Sequence, residues 1–275
     1  MKIALLKGFK YLKKYQYLIN MEDITIFEYK DMDLSDSMLI VAFPTVGLIS
    51  SIAGNFIVKS LKLKEIGAII SKHFMPVTVI HNSNPSPPVR IYAGKKTCGP
   101  DGKCEQLVVI ISEFMPPIEI IKPLVDKILE WADKKKIKTI VALEGTNVLG
   151  EIKDKKPKIH GVGSTPEMNN LLKKYNINKT KEGMITGVTG VLLYEGVIMN
   201  RDILCLLAEA HISYPDSRAT GSLLEKLDKM LPEIKIDPKP LYREAEEIEN
   251  NIRNYMEQSK PTAPPLPTIP TQMYG

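Results

Sequence analysis

Leu107-Val108-Val109-Ile110-Ile111-Ser112, then the helical pattern from Pro117 to Lys135, then Ile137 to Leu143, is the stretch that decides the fold. The first run is apolar without alternation, as in a strand covered on both faces, and a strand of that kind belongs to a parallel sheet. A helical segment between two such runs is a crossover connection, so the expected class is α/β. The same alternation extends outward. Strands are expected at Ile24–Glu28, Met38–Phe43, Ile66–Ser71, Val77–His81, Val89–Ala93 and Ile203–Ala208. Helices are expected at Gly47–Leu61, Thr165–Tyr175, Thr189–Met199 and Asp216–Leu231. Two starts are well marked, by Ser164-Thr165-Pro166-Glu167 and by Pro215-Asp216-Ser217-Arg218, which put a capping side chain ahead of the first turn. Residues 73–106, with several prolines and short β-like pieces, read as a hairpin-rich insertion at one edge of the sheet.

A chain of 275 residues with 44% hydrophobic and 25% charged residues has the composition of a soluble globular protein, and no uninterrupted apolar stretch reaches the length of a membrane-spanning helix. The net charge of +5 is spread over short lysine runs such as Lys134-Lys135-Lys136, which read as solvated surface; no nucleic-acid or membrane partner is expected. Three cysteines exclude a disulfide framework. Cys98 and Cys104 flank a short loop that reads as a surface hairpin, with no histidine to complete a metal site, and Cys205 lies in an apolar run. A reducing, cytoplasmic location fits this usage. Residues 1–20 form a basic segment without the features of a signal peptide, and Met21 is the expected true start.

No catalytic constellation emerges, and neither a cofactor nor a metal is implied. The turn Phe43-Pro44-Thr45-Val46-Gly47-Leu48 follows a strand and opens a helix, but it lacks the glycine spacing and the lysine of a nucleotide loop, so it reads as close strand-to-helix packing. Glu144 and Asn147, just after a strand, together with Asp216 and Arg218, mark a possible rim pocket. These four fit either a polar ligand, such as a nucleoside bound by a phosphorylase- or hydrolase-like enzyme, or a capping and ion-pair network.

The α/β domain is expected over residues 21–237. Pro238 and Pro240 precede a helix expected over 238–259, in which Leu241, Ala245, Ile248, Ile252 and Tyr255 step by four, three, four and three. That narrow stripe suits either packing on the parent domain or an oligomerisation seam. The last part, 260–275, has five prolines in sixteen residues, favours extended polyproline geometry and spans roughly 50 Å at ~3.1 Å per residue. It ends in Met273-Tyr274-Gly275.

Phe43-Pro44-Thr45-Val46-Gly47-Leu48, Ala142-Leu143-Glu144-Gly145, Gly187-Val188-Thr189-Gly190-Val191-Leu192-Leu193, Leu206-Leu207-Ala208-Glu209 and Tyr214-Pro215-Asp216-Ser217-Arg218-Ala219 together resemble the proteasome assembly chaperone family in its archaeal, homo-oligomeric form. Thr45 stands where that family usually has glycine. The resemblance covers most of residues 36–250. It implies a phosphorylase-like, three-layer α/β/α sandwich without catalysis, assembled as a homo-oligomer such as a tetramer or pentamer. The terminus is similar to the hydrophobic–Tyr–any-residue ending of proteasome activators and chaperones. On that pattern Met273 fills an apolar cleft between α subunits of the core particle, Tyr274 stacks there, and the Gly275 carboxylate pairs with a lysine. A related adaptor with its tail sequestered inside its own oligomer is a further alternative.

Overall fold

The computed structural model describes residues 23–245 except 82, 95–96, 99–103, 148–155, 213 and 231–235. Along the chain come β1 (Ile24–Glu28), β2 (Met38–Ala42), a single 3-10 turn at Val46–Leu48, α1 (Ile49–Ser60) and β3 (Lys64–Ser71). Next are β4 (Val79–His81), β5 (Asn84–Ser86), β6 (Val89–Ala93), β7 (Thr97–Cys98), β8 (Cys104–Glu105) and β9 (Leu107–Ser112). The second half holds α2 (Ile118–Lys134), β10 (Thr139–Asn147), β11 (Ile159–Gly163), α3 (Pro166–Lys174), β12 (Asn178–Lys179), α4 (Gly187–Ile198), β13 (Ile203–Ala210) and α5 (Ser217–Met230).

Nine strands form one mixed sheet in the order β1-β3-β6-β9-β2-β10-β13-β11-β12. Its centre, β9-β2-β10-β13, is parallel, with Leu39 opposite Val108 and Ile140 opposite Ile203. All six residues of β9 are buried, as an unalternating apolar run requires. Helices cover both faces. Leu39, Val41, Val108, Ile110, Ile140 and Cys205 share one core with Leu124 and Ile128 of α2 and Leu192 of α4. The intervening residues Ile40, Ala42, Val109, Ile111, Val141 and Leu143 share the other with Ile57 of α1, Leu172 of α3 and Leu223 of α5. Period-two alternation thus sorts each strand between two helical layers.

Three differences from the sequence reading have local causes. Within the 73–106 segment, β6 is no edge strand; it lies between β3 and β9, because Val89, Ile91 and Ala93 are buried in the sheet. Among the described residues, β4–β5 and β7–β8 stand apart as hairpins, the latter with Cys98 opposite Cys104. Second, β10 runs on to Asn147, since its pairing with β13 continues as far as Asn147 opposite Ala210, so Glu144 is a strand residue and not part of a loop. Third, β11 went unread: two of its five residues are glycines, which weaken any strand signal.

Residues 239–245 are helical. Leu241 and Ala245 are buried within the protein's own domain, and the Tyr242 hydroxyl donates to Glu225 Oε1 at 2.7 Å. The first two positions of the 241–255 stripe are therefore used in the parent core. Ile248, Ile252 and Tyr255, the tail with Met273, Tyr274 and Gly275, and the 1–20 extension lie outside the described residues. Among the described residues, no helix is long and apolar enough to cross a membrane, and no group of three or more His, Cys, Asp or Glu side chains is placed to hold a metal.

Candidate functional site

The C-terminal edge of the parallel strands is where an α/β sheet offers ligands a crevice. Here the turn after β2 closes over it. Gly47 has φ 63°, and a Cβ there would lie 3.0 Å from the His211 carbonyl oxygen and 3.2 Å from the Asp216 Cβ. Gly145, at the far end of β10, has its neighbour closer still: an added Cβ would stand 2.1 Å from the Val46 carbonyl oxygen. The Ser50 hydroxyl donates to the Leu143 carbonyl, stitching α1 to the same edge. Backbone-to-backbone contact of this kind fills the place a phosphate needs, so the turn is packing. Gly145→Ala is expected to cost about 3 kcal/mol or more, because the obstructing atom is backbone and cannot swing away. Urea denaturation checks this, and a loss under ~1 kcal/mol would show that the edge yields easily.

Asp216 is the N-cap of α5 and is itself buried. Its Oδ1 accepts from the Ala219 N–H at 2.8 Å, and Oδ2 accepts from the His211 N–H at 3.1 Å, with His211 Nδ1 2.9 Å away. Its own N–H donates to the Gly47 carbonyl at 2.8 Å. Both carboxylate oxygens are thus committed to the fold. Arg218, one residue into α5, lies near enough to Tyr242 to act electrostatically on its hydroxyl.

Glu144 belongs to the other side of the sheet. Since Val141 and Leu143 face α1 and α5, alternation turns Glu144 towards α4, where the Thr189 hydroxyl donates to it. Burial pushes the Glu144 carboxyl up to about 7. Burial and this carboxylate in turn hold the Cys205 thiol well above its ordinary range, so the thiol stays protonated and unreactive. Asn147 is exposed at the end of β10. The four rim residues are consequently split: Asp216 and Arg218 on one face, Glu144 on the opposite face, Asn147 at the edge. Of the four, Asn147 lines the cleft described next.

What sequence reasoning missed is an open cleft of about 970 Å³ between α4, β11 and the 179–185 segment, lined by Asn147, His160, Glu209, Leu193 and Tyr194 among others. His160 Nε2 is 3.1 Å from Glu209 Oε1, and Glu209 also accepts from the Lys158 N–H at 3.4 Å. The pair spans antiparallel strands β11 and β13, so it could be found only once β11 was known. Its lining mixes apolar side chains, such as Met184, Leu193 and Val197, with polar ones, such as His160, Thr180 and Glu209. That composition suits a protein segment or an amphipathic ligand better than a small, fully polar metabolite.

Comparison with known proteins agrees with this architecture. An uncharacterized protein of Methanocaldococcus jannaschii is 30% identical over 237 residues, covering 86% of this chain and 92% of that protein. The crystal structure of Pyrococcus furiosus PbaA, described as an archaeal homolog of proteasome-assembly chaperone, superposes with a TM-score of 0.75 at 28% identity, covering 86% of this chain and 93% of its own. Pyrococcus furiosus PbaB, described as an archaeal proteasome activator, gives 0.75 at 23% identity, with 86% and 100% coverage. The PAC2 family model matches residues 39–256, a span that includes the closed turn at Gly47, Glu144 and the Asp216 cap, and the chain belongs to the PAC2 family.

Proposed function

We propose that this protein is an ATP-independent, homo-oligomeric chaperone or activator of the proteasome, one that grips the α ring of the core particle through Met273, Tyr274 and Gly275. The observation that carries the reading is the likeness to PbaA over 86% of the chain, joined in the same sequence to a hydrophobic–Tyr–any-residue terminus. The fold is read as the phosphorylase-like sandwich put to non-catalytic use, in the cytoplasm. The dispersal of Glu144, Asp216 and Arg218 over two faces supports that reading, because a phosphorylase or hydrolase needs its polar groups convergent. The three terminal residues offer the chemistry of a plug. Methionine adapts to an apolar cleft, tyrosine brings ring area and a polar tip, and the carboxylate forms a charge-assisted pair with a lysine.

The direct test is to mix the full-length protein with purified proteasome α subunits and measure the mass and stoichiometry of the product. A complex containing several copies of this chain per α ring is expected. Two components migrating separately at micromolar concentrations overturn the reading.

A further inference from the structure

We propose that Cys98 and Cys104 form a reversible disulfide that closes the β7–β8 hairpin, with a low-molecular-weight disulfide such as glutathione disulfide as the oxidant. Strand register carries this independently of the proteasome reading.

β7 and β8 are antiparallel, with Thr97 opposite Glu105 and Cys98 opposite Cys104. Residues directly opposite on such a ladder share one face and have Cα atoms about 4.5 or 5.5 Å apart, according to which kind of pair they form. A disulfide spans Cα separations of about 4.4–6.8 Å, so both kinds fall within its reach. The base of the hairpin is fixed. Ala93 of β6 lies opposite Val108 of β9, the Gly94 N–H donates to the Leu107 carbonyl at 3.3 Å, and the buried Gln106 side chain donates its amide to the Gly94 carbonyl. Beyond that base the ladder is two residues per strand, too short to hold a hairpin by itself. A covalent link at Cys98 and Cys104 supplies what the ladder lacks. Between the two, Gly99-Pro100-Asp101-Gly102-Lys103 has the residues of a turn, which brings strand ends back together.

The third cysteine is no competitor. Cys205 is fully buried in β13, which stands three places from β9 in the sheet, roughly 14 Å at ~4.8 Å per strand, and its thiol is held protonated. Lys95, Lys96 and Lys103 outnumber Asp101 and Glu105 along residues 95–105, and a net positive surround favours the thiolate, the form that reacts. The exchange balances in two steps. One thiolate attacks a sulfur of the oxidant, forming a mixed disulfide and expelling one small thiolate. The other cysteine's thiolate then attacks the protein sulfur of that mixed bond, forms the Cys98–Cys104 link and expels the second small thiolate. The two cysteines lose two electrons and two protons, and the oxidant takes both and leaves as two thiols. An excess of the same small thiol runs the steps backwards, so a reducing compartment opens the hairpin again. The hairpin leads into β9 and so sits at the N-terminal edge of the parallel strands, opposite the edge closed by Gly47 and Gly145. The link stiffens one end of the sheet and leaves the other untouched.

The test equilibrates the full-length protein with glutathione and glutathione disulfide, traps free thiols with iodoacetamide in denaturant, and reads intact and tryptic masses. In the oxidising buffer the parent is expected to keep one alkylatable thiol of its three, Cys205, and to regain the other two on reduction. Trypsin cuts after Lys96 and Lys103, so the peptides that begin at Thr97 and at Cys104 should be recovered joined, and should separate after reduction. Cys98→Ser and Cys104→Ser each leave a thiol with no partner, and that thiol should hold a glutathione adduct that the parent resolves. The proposal is overturned if, in a large excess of glutathione disulfide, the parent keeps all three thiols or carries adducts as stable as those of the single variants. A link between two chains, seen as a covalent dimer in non-reducing denaturing electrophoresis, overturns it too. So does zinc bound to the protein as purified and lost in both serine variants, because two thiolates held by a metal are the other use of this spacing.

Discussion

Deletion of Met273, Tyr274 and Gly275 is expected to abolish binding to the proteasome α ring and to leave the domain folded and its proposed oligomer intact. The described buried residues run from Ile24 to Ala245, and a core of that extent is expected to fold without the last three residues. The effect on binding is large because it is multiplied. A short segment that must become ordered on binding gains few contacts against that cost, which makes one such plug weak. Several tails on one oligomer hold one another near their pockets, and avidity of that kind exceeds the single-site affinity by about 10²–10⁴-fold. Truncation strips every tail at once and forfeits the whole gain. Tyr274→Ala is the milder form: losing an aromatic anchor costs about 2 kcal/mol or more per tail, roughly 30-fold, compounded over the tails engaged. Native gels and sedimentation of mixtures with α subunits read both variants. A truncated protein that binds as well as the parent refutes the plug; one that falls apart into monomers assigns the tail to assembly.

The parts of this fold that could be read from sequence are those whose signal is local. The apolar run of β9, the helical spacing of α2 and the Thr165 and Asp216 caps specify their elements with little outside help, and their observed bounds lie within one residue of expectation. What stayed hidden depends on neighbours. β10 looked finished at Leu143 because its last four residues are not apolar; pairing with β13 is what carries it to Asn147. That extension changes the site, since within a strand the parity of Glu144 sends its carboxyl to the α4 face and away from Asp216. Likewise β11, with its two glycines, is a strand because it pairs with β13 from Ile159 to Gly163, and the His160–Glu209 contact follows from that register. The exposed side of α4 was invisible for the opposite reason: an all-apolar helix reads as core from any direction, and only the packed structure shows which half is bare.

Glu144→Gln is expected to flatten the pH dependence of stability and to leave the variant more stable than the parent at alkaline pH. The sign follows from burial. Glu144 has an ordinary value of 4.5 and is pushed up to about 7 in the folded chain, desolvation being the larger influence and the Thr189 hydrogen bond the opposing one. Below pH 4.5 the carboxyl is protonated whether the chain is folded or not, and it adds no pH dependence. Between 4.5 and 7 the unfolded chain releases the proton while the folded chain keeps it, so stability falls as pH rises. Above 7 the folded protein holds a charged carboxylate among apolar neighbours at a cost of about 3 kcal/mol, taking about 1.4 kcal/mol per unit of displacement. A glutamine keeps an acceptor for Thr189 and carries no charge. The variant should therefore melt about 6–12 °C above the parent at pH 8, at about 2–4 °C per kcal/mol for a domain of this size, and within about 3 °C of it at pH 4. Calorimetry across that range decides the matter, and parallel melting profiles for the two proteins would falsify the assignment. If the profiles converge at low pH as expected, the central strand of this fold carries a buried ionisable group whose charge works against stability.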